Sequence, residues 1–150
     1  MSKSKFLKIS LSFVFISALF FNYSCSQMKE TEEVKTKDIV FTTDLVNDPE
    51  MIQKYIHYHS PEGIWPEVIQ ADEAAGFTSV KIYFQGNRLI MILTVPEDAD
   101  MDEMNRRYAA SSEKIKEWGE IMSEFQVPPP GADSGQVWVP MKLIHEYNAD

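Results

Sequence analysis

Residues 77–95 read FTSVKIYFQGNRLIMILTV, in which two runs rich in β-branched and aromatic residues flank the dipeptide Gly86-Asn87. A two-residue turn of this type tolerates the left-handed backbone that joins antiparallel strands tightly. The stretch therefore predicts an antiparallel hairpin, with one strand over residues 77–85 and the next over residues 88–95.

The chain before this hairpin contains one more predicted strand and two predicted helices. Residues 39–46 (IVFTTDLV) have the composition of a strand. Residues 48–50 (DPE) combine an N-cap acid, a proline suited to the first helical position and an acid near the positive helix end. They predict a helix that runs to about Tyr58. A second helix is predicted over residues 66–75, with Gly76 as its left-handed cap.

The chain after the hairpin predicts two more helices and a last strand. Asp100 and Glu103 have the spacing of a capping box, which opens a helix to about Tyr108. Residues 113–125 carry apolar side chains at helical spacing. The proline- and glycine-rich residues 127–135 predict a loop, and residues 137–147 a closing strand that Pro140 places at an edge or a bulge.

The predicted order of elements favours the α+β class. The elements follow the ferredoxin-like pattern, which is an antiparallel sheet with helices on one face. Their order is one strand, two helical segments, two strands, two helical segments and a last strand. The other face of such a sheet must be covered. Because the chain has no spare helix for this purpose, we expect a second copy to cover it, which gives a homodimer.

The N-terminal residues have the features of an export signal. Residues 1–24 contain three early lysines and then an uncharged run, residues 9–21, that is too short to span a bilayer comfortably. Cys25 follows directly and is the one cysteine of the chain, in a context that resembles a lipobox. We predict a lipoprotein signal peptide, a lipid anchor at Cys25, a flexible tether over residues 25–38 and one domain over residues 39–150. A secreted chain cut elsewhere, or an uncleaved anchor, is the alternative.

The charge of the chain limits its partners. The formal net charge is −9 at pH 7, which argues against nucleic acid because phosphate binding needs clustered lysine and arginine. The predicted location is the cell envelope, where the protein meets the membrane through its lipid anchor only.

The first predicted helix carries the most informative spacing. Ile52, Tyr55, Ile56 and His59 lie at i, i+3, i+4 and i+7 and therefore share one helical face. A phenol and an imidazole converge there on an apolar region, which suits a ligand rich in hydroxyl groups. The alternative is that Tyr55 and His59 are ordinary core residues. His57 and Tyr58 are predicted to lie on the surface.

Other residue types give weaker indications. Trp65, Trp118 and Trp138 can stack on the C–H faces of a sugar or simply fill the core. The sequence YIHYH does not predict a metal site, because residues two apart on a helix point in different directions. The chain has no serine in a nucleophile elbow, no phosphate-binding glycine loop and no HExxH motif.

The stretch YIHYHSPEGIWPEVIQADEAAGFTSVKIYFQGNRLIMILTV, residues 55–95, resembles the L-rhamnose mutarotase family. The similarity lies in a tyrosine four residues before a histidine, an IWPE segment, a helix ending in glycine and an IY strand before a hairpin. Later segments, including Glu117-Trp118 and Val137-Trp138, continue it. The resemblance implies a dimeric α/β barrel built from ferredoxin-like protomers.

The resemblance also implies roles for single residues. His59 matches the general acid of the family, Tyr55 a sugar-binding tyrosine, Trp118 the first of two adjacent tryptophans and Tyr83 a strand tyrosine beside the sugar. The chain departs from the family where Val80 replaces a tyrosine and Gly119 replaces the second tryptophan, and in an insertion at residues 62–63. These departures affect which sugar the resemblance implies more than which reaction it implies.

The implied activity is the interconversion of the α and β anomers of a free 6-deoxyhexose, either L-rhamnose or L-fucose. A histidine, with an ordinary pKa near 6.5, can deliver and later remove the proton that ring opening requires, so no metal or other cofactor is expected. Two alternatives are a non-catalytic sugar-binding lipoprotein and a dimeric α/β barrel oxygenase.

Overall fold

The computed structural model describes residues 34–149, which form one sheet with four helices. The predicted signal peptide, Cys25 and most of the predicted tether lie outside the described residues. No helix within residues 34–149 has the length and apolar character needed to cross a membrane. The elements are β1 (Thr36–Leu45), α1 (Pro49–Tyr58), α2 (Pro66–Ala75), β2 (Ser79–Gln85), β3 (Arg88–Pro96), α3 (Met101–Ala110), α4 (Glu113–Phe125), β4 (Gln126–Val127) and β5 (Val139–Pro140).

The hairpin forms as its sequence predicts. β2 and β3 pair antiparallel from Ser79 opposite Thr94 to Gln85 opposite Arg88. Gly86, in the turn between them, has a φ of 66°, which glycine adopts without steric cost.

The helix ends also agree with the sequence signals. The carboxylate of Asp48 accepts hydrogen bonds from the first backbone N–H groups of α1, and Asp100 does the same for α3. Gly76 ends α2 in the left-handed conformation, with a φ of 88°. α1 and α3 therefore begin where a local side chain satisfies free backbone N–H groups, and α2 ends at a glycine cap.

The strand order is β2-β3-β1-β4, and β5 also pairs with β1. All pairings are antiparallel. β4 lies opposite Asp44 and Leu45, whereas β5 lies opposite Phe41 and Thr42, so these two short strands act together as one interrupted edge strand. This order and the four helices confirm the predicted α+β, ferredoxin-like fold.

The helices pack on one face of the sheet. The larger core brings Leu45 and Leu89 together with Ile52 and Tyr55 of α1 and with residues of α2 and α4. A smaller core joins Leu93 and Val95 of β3 to Met104 of α3. Side chains of a strand alternate between faces, so the rows Val40–Ile92–Lys81 and Thr42–Ile90–Tyr83 point to the opposite face.

Two strand boundaries differ from the prediction. β1 begins at Thr36, so residues 36–38, which were assigned to the tether, are part of the sheet. They pair with Thr94, Val95 and Pro96 of β3, because β3 is long enough to extend the ladder beyond the apolar part of β1.

The predicted closing strand over residues 137–147 is wrong for most of its length. Only Val139 and Pro140 are in a strand. Met141 still donates its N–H to the carbonyl oxygen of Val40, at 2.7 Å, but residues 141–149 have no regular structure and are exposed. The chain leaves the sheet after Pro140 although β1 continues to Thr36, so strand-like composition alone does not determine strand pairing.

We expect Gly63→Ala to destabilise the loop between α1 and α2. A Cβ atom at Gly63 would overlap the backbone carbonyl group of His57, and overpacking of this kind costs about 1–3 kcal/mol. Gly119→Ala is the matched control, because a Cβ atom there meets no other atom within 4 Å. In that exposed helical position alanine should stabilise by about 0.5–1 kcal/mol. Urea unfolding measures both changes, and equal stabilities for the two variants would contradict this packing.

Candidate active site

Helix α1 points its inner face at the core through Ile52 and Tyr55, whose exposed fractions are 9% and 2%. Ile56, predicted on the same face, is 39% exposed and lies at the edge of it. His59 is the C-cap residue of α1 and is half-buried. The helix therefore brings a buried phenol and a partly accessible imidazole to the same region, as the spacing predicts.

The backbone holds the imidazole of His59 in one orientation. Its Nδ1 lies 2.9 Å from the carbonyl oxygen of Tyr55. Because a carbonyl oxygen only accepts, Nδ1 carries the proton in this hydrogen bond, and in the neutral ring Nε2 then has a free lone pair. The rings of Tyr55 and His59 also stack, with centroids 4.2 Å apart.

The surroundings of His59 favour its neutral form. Burial lowers the pKa of His59 below its ordinary value, while the hydrogen bond to the Tyr55 carbonyl opposes this shift. A neutral imidazole with an unprotonated Nε2 can accept a proton near neutral pH.

Three more aromatic rings surround this pair. Trp118 of α4 packs edge to face against His59, Tyr58 and Trp65, with centroid distances of 5.5, 5.7 and 5.3 Å. Trp118 is 6% exposed, whereas His59 and Trp65 are half-buried. A ligand can therefore reach this group from the side of His59 and Trp65. We call the group the aromatic cluster; its members are Tyr55, Tyr58, His59, Trp65 and Trp118.

Burial governs the protonation of the Tyr55 phenol, because it raises the pKa of Tyr55 to about 12. The neutral phenol is therefore the form present near neutral pH, and it can orient a ligand but not act as a base.

Charged side chains lie at the rim of the aromatic cluster. The ammonium group of Lys114 lies 5.2 Å from the centroid of the Trp65 ring, and it contacts the carboxylate of Glu117 at 2.6 Å. Glu67 lies in the first turn of α2 and adds to the electrostatic field at Lys114. In the first turn Glu67 also lies near the positive end of the helix dipole, where a carboxylate is stabilising.

A groove lies elsewhere, between α1 and α4. His57, Tyr58, Ile121 and Phe125 are among the residues that line it, and His59 is not. Within residues 34–149, no three or more His, Cys, Asp or Glu side chains come together as a metal site.

Comparison with known proteins identifies the family. The family model for L-rhamnose mutarotase matches residues 38–147. The L-fucose mutarotase of Xanthomonas campestris pv. campestris is 34% identical over 100 residues, which cover 67% of this chain and 79% of that protein. The chain belongs to the L-rhamnose mutarotase family. The prediction of a sugar mutarotase, and hence of an isomerase, is confirmed.

A solved structure agrees with the fold of this mutarotase. The crystal structure of an L-rhamnose mutarotase from Formosa agariphila aligns with a TM-score of 0.52, over 75% of this chain and 99% of that one, at 21% identity. The comparison supports the ferredoxin-like fold, while the roles of single residues in this mutarotase stay predictions.

The mutarotase places the other residues that the resemblance suggested away from the aromatic cluster. Tyr83 pairs with Ile90 on the sheet face opposite the helices and is 55% exposed, so in one protomer it does not lie beside His59. Val80 packs against the smaller core near α3. Gly119 is exposed, and a side chain there would extend into open space.

Tyr58 of the mutarotase was missed by sequence analysis. Tyr58 was predicted to lie on the surface but is half-buried, with its ring 5.8 Å from that of Phe125. Its position three residues after Tyr55 could have indicated that the two rings lie on neighbouring parts of the helix surface. Trp138, the third candidate tryptophan, packs against the larger core.

Proposed function

We propose that His59 performs the proton transfers of anomer interconversion on a free 6-deoxyhexose. The observation that carries this proposal is the hydrogen bond from Nδ1 of His59 to the carbonyl oxygen of Tyr55, at 2.9 Å. It leaves Nε2 of the neutral ring as a proton acceptor in a half-buried, aromatic environment.

The reaction needs one group that accepts and then returns a proton. Nε2 of His59 takes the proton of the anomeric hydroxyl, and the electron pair of that O–H bond forms the carbonyl of the open-chain aldehyde. The bond between C1 and the ring oxygen breaks, and the ring oxygen receives the proton from the imidazolium. Rotation about the C1–C2 bond and closure by the reverse steps give the other anomer.

The aromatic cluster suits a sugar with an apolar face. A 6-deoxyhexose has a methyl group in place of one hydroxyl, so it presents more apolar surface than the parent hexose. The half-buried ring of Trp65 offers apolar surface, and the buried ring of Trp118 packs against it. The similarity to a relative described as an L-fucose mutarotase and to a family described as L-rhamnose mutarotase supports these two 6-deoxyhexoses as the substrates to test.

Exchange NMR on the anomeric protons of L-fucose and L-rhamnose tests the substrate. We expect the purified protein to accelerate α–β exchange of one sugar more than that of the other, and to leave a hexose with an intact 6-hydroxyl less affected. Saturation transfer to either sugar without accelerated exchange would mean a sugar-binding protein that has lost turnover. The absence of both accelerated exchange and saturation transfer would contradict the proposed substrate class.

We propose that a second copy covers the open face of the sheet. This face presents Val40, Ile90 and Ile92, all half-buried, together with Tyr83 at 55% exposure, and such apolar surface commonly marks an interface. Tyr83→Glu should convert a dimer into a monomer in light scattering after gel filtration. Ile69→Glu is the matched control, because Ile69 is a similarly exposed apolar residue at 47% but lies on helix α2, away from the open face of the sheet.

We also propose a lipid-anchored envelope location through Cys25. The support is the order of a basic start, an apolar run and a single cysteine in residues 1–25. The native chain should be recovered with membranes and its Cys25→Ser variant should not. Recovery of both in the soluble cytoplasmic fraction would exclude the anchor.

The proposed role of His59 predicts a low-pH limit below the ordinary histidine range. Since burial lowers its pKa, the neutral base should persist below pH 6.5, and exchange should fall only at lower pH. Because the pKa of His59 is lower in the folded protein than in the unfolded chain, the unfolded chain binds the proton more readily. The contribution of His59 to the free energy of unfolding is therefore lost as the pH falls from about 6.5 through the folded pKa.

Titration of the imidazole Cε1–H resonance of His59, beside a pH–rate profile, measures this shift. Asp72→Asn is the control, because burial raises the pKa of Asp72 to about 6 and this carboxyl titrates in a similar range. A midpoint for His59 at or above 6.5 would contradict the prediction.

A further inference from the structure

The groove between α1 and α4 is lined by side chains of the kinds that bind saccharides. Its most buried lining residue is Phe125, while Tyr58 and Ile121 are half-buried. Apolar and aromatic walls that carry a small number of polar groups are typical of a ligand site. The polar lining residues are exposed, and they are Gln53, Lys54, His57 and Glu124.

Helix geometry explains why a groove forms here. Met51, Lys54 and Tyr58 lie at i, i+3 and i+7 of α1, so they form one ridge along that helix. Ile121 and Phe125, four residues apart, form the facing ridge of α4. The ridges meet where the rings of Tyr58 and Phe125 pack edge to face, at 5.8 Å. The groove has a volume of about 740 Å³, in the upper part of the range for small-molecule sites, so it has room for more than one sugar ring.

Tyr58 connects this groove to the aromatic cluster. It lines the groove, and its ring also packs edge to face against Trp118, at 5.7 Å. The next residue in the chain is His59, and Cα atoms of consecutive residues are about 3.8 Å apart. A ligand that is bound at His59 and is longer than one sugar ring can therefore extend past Tyr58 into the groove.

The charged groups of the groove suit a neutral ligand rich in hydroxyl groups. Lys54 contributes one positive charge and Glu124 one negative charge, and neither side chain takes part in the ion pairs formed within residues 34–149. An ammonium donor and a carboxylate acceptor are thus free for hydroxyl groups, which both donate and accept. The two charges cancel, and the chain as a whole has a formal net charge of −9, which disfavours a polyanionic ligand.

We propose that the groove holds the sugar units beyond the reducing end of a neutral oligosaccharide whose terminal 6-deoxyhexose lies at His59. This inference rests on the proposed function and extends it from free monosaccharides to reducing ends. Anomer interconversion requires a free hydroxyl at C1, which an oligosaccharide has at its reducing end only. The glycosidic bonds to the other units take no part in the reaction. A glycoside hydrolase that releases such a fragment as one anomer is the class of enzyme that supplies this substrate.

Exchange NMR on reducing-end anomeric protons compares the preferred monosaccharide with its linear trisaccharide. We expect KM to be about tenfold lower for the trisaccharide, a change that one or two net hydrogen bonds produce, with kcat changed less than twofold. The added units are held by the same binding event, so their contacts lower KM without a second loss of translational freedom. Equal KM values for the two sugars would overturn the proposal.

Substitutions at the groove test where the added units bind. The double variant Lys54→Ala/Glu124→Ala should abolish the advantage of the trisaccharide and leave exchange of the monosaccharide unchanged. Lys116→Ala/Glu120→Ala is the matched control, because both residues are exposed on α4 and do not line the groove. A trisaccharide advantage that survives in the groove variant would place the added units elsewhere and overturn the proposal.

Two histidines report on the two parts of the site apart from turnover. His57 lines the groove and His59 belongs to the aromatic cluster. We expect the monosaccharide to shift the Cε1–H resonance of His59 only, and trisaccharides of L-rhamnose or L-fucose to shift both. A shift of His57 without accelerated exchange would contradict the proposed function and keep the groove as a saccharide site.

The remaining outcomes of this titration overturn the inference. A trisaccharide that shifts His59 alone does not occupy the groove, even where it is turned over. A His57 resonance that responds to protein concentration and not to saccharide would assign the groove to a contact between copies of the chain. Unchanged resonances of both histidines would contradict the groove site and the proposed function together.

Discussion

His59→Ala should lower the rate of anomer exchange about 10²- to 10⁴-fold, the contribution typical of one positioned acid–base group. The reason is that Nε2 of His59 is the proposed site of proton transfer, and Nδ1 is already engaged by the Tyr55 carbonyl. Exchange NMR with the preferred sugar measures the rate. Saturation transfer measures binding, which should persist in part because the aromatic rings remain.

His59→Asn is the matched variant for this experiment. Its amide nitrogen lies near the position of Nδ1 and can still donate to the Tyr55 carbonyl, but it has no group that replaces Nε2. We expect His59→Asn to lose as much activity as His59→Ala while keeping more of the parental stability. Exchange at the parental rate in either variant would remove His59 from the mechanism.

Trp118→Ala should lower the free energy of unfolding by about 3–5 kcal/mol, the usual cost of truncating a large buried aromatic residue. Trp118 is 6% exposed and its ring meets those of Tyr58, His59 and Trp65. The cavity would remove packing from all three rings at once. Urea unfolding measures the loss, which is a large part of the stability of a domain of this size.

Trp138→Ala is the control for this prediction, because Trp138 packs against the same core but is only half-buried. It should cost clearly less than Trp118→Ala. If the two substitutions cost the same, Trp118 does not have the central packing role that its contacts indicate. A folded Trp118→Ala variant should also bind sugar more weakly, because the orientation of His59 depends on this ring.

Much of the fold could be predicted from local signals. The hairpin turn at Gly86, the capping acids Asp48 and Asp100, and the cap at Gly76 each act on backbone groups within a few residues. Such interactions do not depend on the rest of the molecule, so they can be predicted from the local sequence. The prediction of the closing strand was wrong beyond Pro140, because pairing with the edge of β1 joins segments distant in sequence, and strand-like composition alone does not determine it.

The candidate site also has one part that local spacing predicts and one part that depends on tertiary packing. Tyr55 and His59 are one helical turn apart, so helix geometry alone places them on one side of α1. The meeting of Trp118 with His59 and Trp65 depends on how α4 packs against the end of α1 and the start of α2, and helical periodicity shows only that Trp118 points inward. Tyr83 illustrates the limit, since strand pairing turns it to the opposite face of the sheet.

The sequence by itself determined the helices, the hairpin, the α+β class and the Tyr55–His59 pair, because each rests on spacing along a single element or on a short turn. Only the tertiary structure decided that Tyr58 joins the aromatic cluster and that residues 141–149 stay outside the sheet. These two results depend on contacts between residues distant in sequence, which form only when several elements pack together and bury their apolar faces.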